Sequence, residues 1–122
     1  MGFHYIPPAV VGAQLIVAET EVFNGTPPRR MTDLDLSGVV GSNSALVVLK
    51  IRHSASGNFF TVRKNGDTDF AGSGLYGHCA FIQSSTNTYQ SVLVPTDSAG
   101  IIEWMAQVAS GTTIVKVIAY IK

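Results

Sequence analysis

The residues of this 122-residue chain that type and spacing single out for acid–base, nucleophilic or metal chemistry are three histidines, one cysteine, two closely spaced aspartate pairs and one serine between glycines. His4, His53 and His78 share no spacing that would gather them around a zinc ion, which needs four ligands in short tetrahedral clusters. Asp67 and Asp69 follow Asn65-Gly66 but lack the glycine frame and the later glutamate of a calcium loop, so they read as a polar hairpin turn. Asp33 and Asp35 fall on one face of a short strand. Two-carboxylate hydrolysis needs the pair set across a cleft, and one strand does not supply that. Gly72-Ser73-Gly74 is not a nucleophile elbow, because the serine lacks the G-x-S-x-G frame. Cys79 sits on an alternating strand where a buried, inert thiol is the ordinary state. The expectation is a chain that is not an enzyme, with no metal and no cofactor.

Recognition chemistry is better represented. The glycine-rich stretch 67–78, with Tyr76 and His78, is the longest irregular segment, and Tyr89 follows soon after. Aromatic faces beside Asn and Asp partners are what sugar sites use, so Tyr76, His78 and Tyr89 form a candidate ligand loop for a glycan. Arg29, Arg30, Lys50, Arg52, Arg63 and Lys64 could form a basic stripe beside Phe59 and Phe60 if their strands were neighbours. Acidic residues are interleaved with them, and the formal net charge is zero. Solvated edges are the better account, and nucleic acid is not an expected partner.

The elements that must position these residues are strands. Charged residues make up only 13% of the chain while hydrophobic ones make up 46%, so it folds around a core yet has little charge to cover its surface. A chain of this length forms one domain, and association is the natural remedy for its sparse charge. With a single cysteine it has no internal disulfide, which leans toward intracellular synthesis. The start MGFHYIPPAVVGAQLIV lacks a basic region and is broken by Pro7-Pro8, so it is not expected to act as a signal peptide. No apolar run approaches the ~20 residues of a membrane span, so no membrane insertion is expected.

Residues 1–13 read as an extended arm and 14–122 as one domain. Gln14–Phe23 alternates in its second half, and Asn24-Gly25-Thr26-Pro27-Pro28 ends it. Arg29–Ser37 is a short strand, and residues 38–43 are a loop. Ala45–His53 places Val47, Leu49 and Ile51 on one side and Lys50 and Arg52 on the other. Asn58–Lys64 points Phe60 and Val62 inward, then meets Asn65-Gly66, a strong turn signal. Strands follow over His78–Ser84 and Tyr89–Val94. The chain closes in an apparent β-hairpin: Ile101–Val108, with Ile102, Trp104, Ala106 and Val108 on one face, a turn at Ser110-Gly111, and a long final strand. About eight strands at this spacing predict an all-β fold, an antiparallel β-sandwich of jelly-roll-like form, with an immunoglobulin-like arrangement, weakened by the absence of a Cys…Trp…Cys pattern, as the alternative.

The final strand is apolar on both faces. Period-2 alternation puts Val115, Val117, Ala119 and Ile121 on one side, and Ile114, Ile118 and Tyr120 with Lys116 on the other. Burying one Val or Ile side chain stabilises by roughly 1.5–3 kcal/mol, so a face of this kind calls for a cover. Either the strand is central and covered within the chain, or Ile114, Ile118, Tyr120, Leu46 and Val48 line an oligomer interface. Both readings stand at this level.

Three stretches carry a resemblance: TDLDLS with VVG and ALVVLK (32–50), TDSAGIIEW (96–104) and VIAYI (117–121). Together they resemble the small β-sandwich modules among the structural proteins of tailed phages and related viruses, including capsid-decoration, head-fibre and tail-associated proteins. The likeness spans residues ~30–122 at the level of pattern. It implies a jelly-roll-like, non-enzymatic homo-oligomer, favouring a trimer, that contacts other virion proteins or a host-surface glycan. It also implies synthesis in the host cytoplasm and a place in the virion. The alternative is a carbohydrate-binding module acting through the 67–78 loop.

Overall fold

The computed structural model describes residues 12–68, 80–83 and 85–122, with 80–83 given by their backbone alone. Its strands are β1 (Leu15–Gly25), β2 (Thr32–Asp35), β3 (Leu46–His53), β4 (Phe59–Lys64), β5 (Ala80–Gln83), β6 (Gln90–Pro95), β7 (Ile101–Ala106) and β8 (Thr113–Ile121). A single helical turn, α1 (Ser37–Val40), takes the last residue of the strand expected at 29–37 and the start of the loop expected at 38–43. The chain is an all-β sandwich of two four-stranded antiparallel sheets, ordered β1-β8-β3-β6 and β2-β7-β4-β5.

The pairing is nested: β1 with β8, β2 with β7, β3 with β6 and β4 with β5. Every connection except β4–β5 therefore passes from one sheet to the other. This overturns the closing hairpin read from the sequence. β7 and β8 are consecutive, but β7 pairs with β2 and β4 while β8 pairs with β1 and β3. The reason is burial. Ile102, Trp104 and Ala106 of β7 and Val115 and Val117 of β8 all have an apolar inner face, and opposed sheets let both rows share one core. Residues 107–112 make the crossing, and Val108 ends exposed outside the strand rather than on its inner face.

Alternation fills the interior as a half-buried strand should. Val47, Leu49 and Ile51 meet Phe60, Val62, Ile102 and Trp104, all essentially inaccessible to water. Trp104 is gripped by two rings: Phe23 edge-on at 4.7 Å and Phe60 stacked at 6.3 Å. Leu36 and Val40 plug one end of the sandwich, where Leu36 N–H donates to the Gly100 carbonyl (2.9 Å). Thr96, also buried there, donates from its hydroxyl toward the Asn43 carbonyl and accepts from Ala45 N–H, each at 3.0 Å.

β8 departs from strict alternation. Val48 pairs with Ala119 and Leu49 with Val117, so Ile118 is an extra residue, a β-bulge. Beyond it the faces exchange. Ala119 and Ile121 turn outward with their partners Val48 and Leu46, and Tyr120 turns inward opposite Val47. Tyr120 is thus a core residue at 8% exposure, and its assignment to an outer, interface-forming face is corrected.

Candidate functional site

The outer face of sheet β1-β8-β3-β6 is built from four rows of side chains set by the strand register. Leu15, Ile121, Leu46 and Pro95 form the first row, and Val17, Ala119, Val48 and Leu93 the second. Ile118 sits in the bulge that follows. Glu21, Lys116, Lys50 and Ser91 make the third row, and Asn24, Ile114 and Arg52 the fourth, with Tyr89 just beyond the start of β6. One half of the face is apolar and the other is cationic.

The apolar half is where the surface departs from an ordinary one. Among the described residues five large hydrophobic side chains are exposed, and four of them, Leu15 (63%), Val17 (79%), Leu46 (38%) and Leu93 (57%), lie in these two adjacent rows. Scattered apolar residues on a surface are normal, but contiguous ones mark a contact surface. Of the residues expected at an interface, Leu46 and Val48 belong to this patch and Ile118 lies at its border. Ile114 is on the same face but in the cationic half, and Tyr120 is in the core. Leu15, Val17 and Leu93 were missed. The only signal for them was the apolar run LIV at 15–17 and VLV at 92–94, which does not say which residue faces out.

In the cationic half, three positive groups surround one ring. Lys50 Nζ lies 4.7 Å from the Tyr89 ring centroid, Lys116 Nζ 5.6 Å and the Arg52 guanidinium carbon 5.7 Å. Such contacts gather cations over an aromatic face. Glu19, carried in a β1 irregularity, pairs with Lys50 and reaches Lys116 at 3.8 Å through the same carboxylate oxygen. The hydrogen bond and charge of Lys50 hold the Glu19 carboxyl below its usual range. Tyr89 is therefore the centre of a charged cluster. Tyr76 and His78 lie outside the described residues, as do His4, Cys79 and Asp69.

The basic residues do not assemble into a stripe. Lys50 and Arg52 belong to β3, whereas Arg63 and Lys64 belong to β4 in the opposite sheet, where Arg63 pairs with Glu103 at 2.8 Å. Asp33 and Asp35 are exposed on β2. Asp35 Oδ1 accepts the Ser37 N–H at 2.9 Å, and hydrogen bonding with Ser37 holds its carboxyl below the usual range, the wrong direction for a general acid. Among the described residues no group of three His, Cys, Asp or Glu side chains is placed to hold a metal ion. His53 is buried between Thr113, Asn58 and Phe60 rather than in an open site. A shallow cleft of about 540 Å³ at the start of β1 is lined by Gln14, Ile16, Asn43, Ser44 and Lys122, with Lys122 the one ionisable side chain among the described residues there.

No protein-family model matches the sequence, and no curated protein matches it. Among the described residues no helix is long and apolar enough to cross a membrane.

Proposed function

We propose that this chain is a non-enzymatic virion structural protein, a jelly-roll β-sandwich that works as a homo-oligomer, a trimer by preference. The nested pairing of β1 with β8 through β4 with β5 supports the jelly-roll reading, since that winding is what two interlocked Greek keys produce. The likeness of residues ~30–122 to virion modules of tailed phages supports the setting in a capsid, fibre or tail. The observation that carries the assembly reading is the apolar half of the β1-β8-β3-β6 face. Covering four side chains worth roughly 1.5–3 kcal/mol each, when fully buried, is a strong drive to associate. Closed symmetry lets one such patch serve every subunit.

The experiment is light scattering coupled to gel filtration at micromolar concentration. The wild-type chain is expected as one species at three times the 13.0 kDa chain mass. Val17→Asp and Leu93→Asp, both on exposed positions, are expected to give folded monomers. A clean wild-type monomer, or variants that keep the wild-type mass, would overturn the reading.

A further inference from the structure

The cationic half of the same face points to a binding site that the assembly reading does not use and that stands without it. Lys50 and Lys116 are direct Cα partners across β3 and β8, an arrangement in which like charges repel. Their side chains are only about a quarter exposed, so water screens them less than it would free lysines. Arg52 adds a third positive charge around the same ring. Among the described residues Glu19 is the only carboxylate in ion-pair contact with any of the three. Its one oxygen touches both lysines and leaves Arg52 unclaimed. Glu21, opposite Lys116 in register, is outside ion-pair distance. The cluster thus already accepts one carboxylate oxygen and keeps a net positive charge.

What adjoins the cluster decides the rest of the ligand. The turn Ser85–Thr88 is exposed, and its Asn87 N–H donates to the His53 carbonyl at 2.8 Å, which fixes it beside the end of β3 next to Arg52. The turn, with its hydroxyl and amide side chains, therefore lies at the cationic end of the face, directly before Tyr89 in the chain. A long polyanion would need a cationic track, and Arg63 and Lys64 lie in the other sheet. We propose that Lys50, Arg52, Lys116 and Tyr89 form a site for an acidic sugar, its carboxylate or sulfate held among the three cations and its hydroxyls meeting the 85–88 turn. This candidate glycan contact lies on the outer face of the β1-β8-β3-β6 sheet, and the 67–78 loop lies outside the described residues from position 69 onward.

The test is a heteronuclear NMR titration of the intact chain with sialyllactose, a sulfated disaccharide, lactose, sodium sulfate alone and a dT oligonucleotide. Saturable binding of an acidic sugar is expected, with amide shifts at Arg52, Thr88 and Tyr89, and none with lactose. Arg52→Gln and Lys116→Gln are expected to weaken it about tenfold each, with unchanged melting temperatures, because each removes one charge-assisted contact. Absence of saturable binding by either acidic sugar would overturn the proposal. Equal affinity for sulfate alone, meaning an adventitious ion only, would also overturn it, as would tighter binding of the oligonucleotide. So would unchanged affinity in both variants.

Discussion

Glu103 and Arg63 face each other across the β4–β7 ladder at 2.8 Å, with both side chains nearly nine-tenths buried. The other Glu103 oxygen accepts the Gly66 N–H at 2.8 Å, and Asn65 donates to Asp97 at 2.8 Å. Two acids from β7 and its approach thus hold the Asn65-Gly66 turn in place. Glu103→Ala is expected to cost about 2 kcal/mol, read as a lower urea midpoint, because it removes charge-assisted bonds from a shielded site. Glu19→Ala, which removes a half-exposed carboxylate, is expected to lower the midpoint far less than Glu103→Ala.

Gly100 carries a comparable structural demand in its backbone. It adopts φ +81°, and a Cβ there would lie 2.5 Å from the Gly41 carbonyl oxygen and 3.2 Å from Ser37 Cα. Both obstacles are backbone and cannot swing aside. Gly100→Ala is expected to destabilise by about 3 kcal/mol or more, while Gly57→Ala, at φ +83° in open space, costs about 1 kcal/mol. Chemical denaturation of the two variants side by side checks the contrast.

His53 gives the fold a pH dependence of known sign. Asn58 is oriented by two bonds to the Val108 backbone and directs its amide N–H at His53 Nε2 (3.3 Å), so the ring proton resides on Nδ1 and is donated to Thr113 Oγ1 (2.7 Å). Burial holds the imidazole below its usual range. The unfolded chain therefore binds the proton first as pH falls. Stability is complete above about 6.5 and declines as the pH drops through the folded value. Melting temperature is expected to fall between pH 7 and 5, with a shallower slope in His53→Gln. The carboxyls of Asp97 and Asp35, both held low by hydrogen bonds, add their losses only below about pH 4.

The Ile118 bulge separates Tyr120 from its neighbours in a way denaturation can read. Tyr120→Ala is expected to cost about 3 kcal/mol by opening a cavity between the sheets. Ile121→Ala, on the outward row with Leu46, is expected to cost less than about 1 kcal/mol in the monomer. Equal costs would mean that the strand keeps a single alternation to its end.

Local chemistry made much of the sandwich legible. Val47, Leu49 and Ile51, then Phe60 and Val62, then Ile102, Trp104 and Ala106, alternate with polar residues, and period 2 alone assigns their inner faces. Turn residues such as Asn65-Gly66 and Asn24-Gly25-Thr26-Pro27-Pro28 mark where strands stop. Strand-by-strand reading failed where the answer depends on a partner. A bulge is invisible in TIVKVIAYI because it exists only relative to β3, so Tyr120 was placed on the wrong face. β7 and β8 read as a hairpin because a short turn-forming connection suits neighbouring strands of one sheet as well as strands of two facing sheets.

The candidate sites divide the same way. Sequence alone established an all-β chain with little charge, few catalytic groups and an apolar excess in its last strand, since composition and alternation are properties of single segments. Only the tertiary structure decided that Leu15, Val17, Leu46 and Leu93 share one patch and that Lys50, Arg52 and Lys116 close on Tyr89. Those residues come from four strands, brought together by register. Register is set by hydrogen bonds and core packing between segments up to about a hundred residues apart in the chain, which no local pattern records.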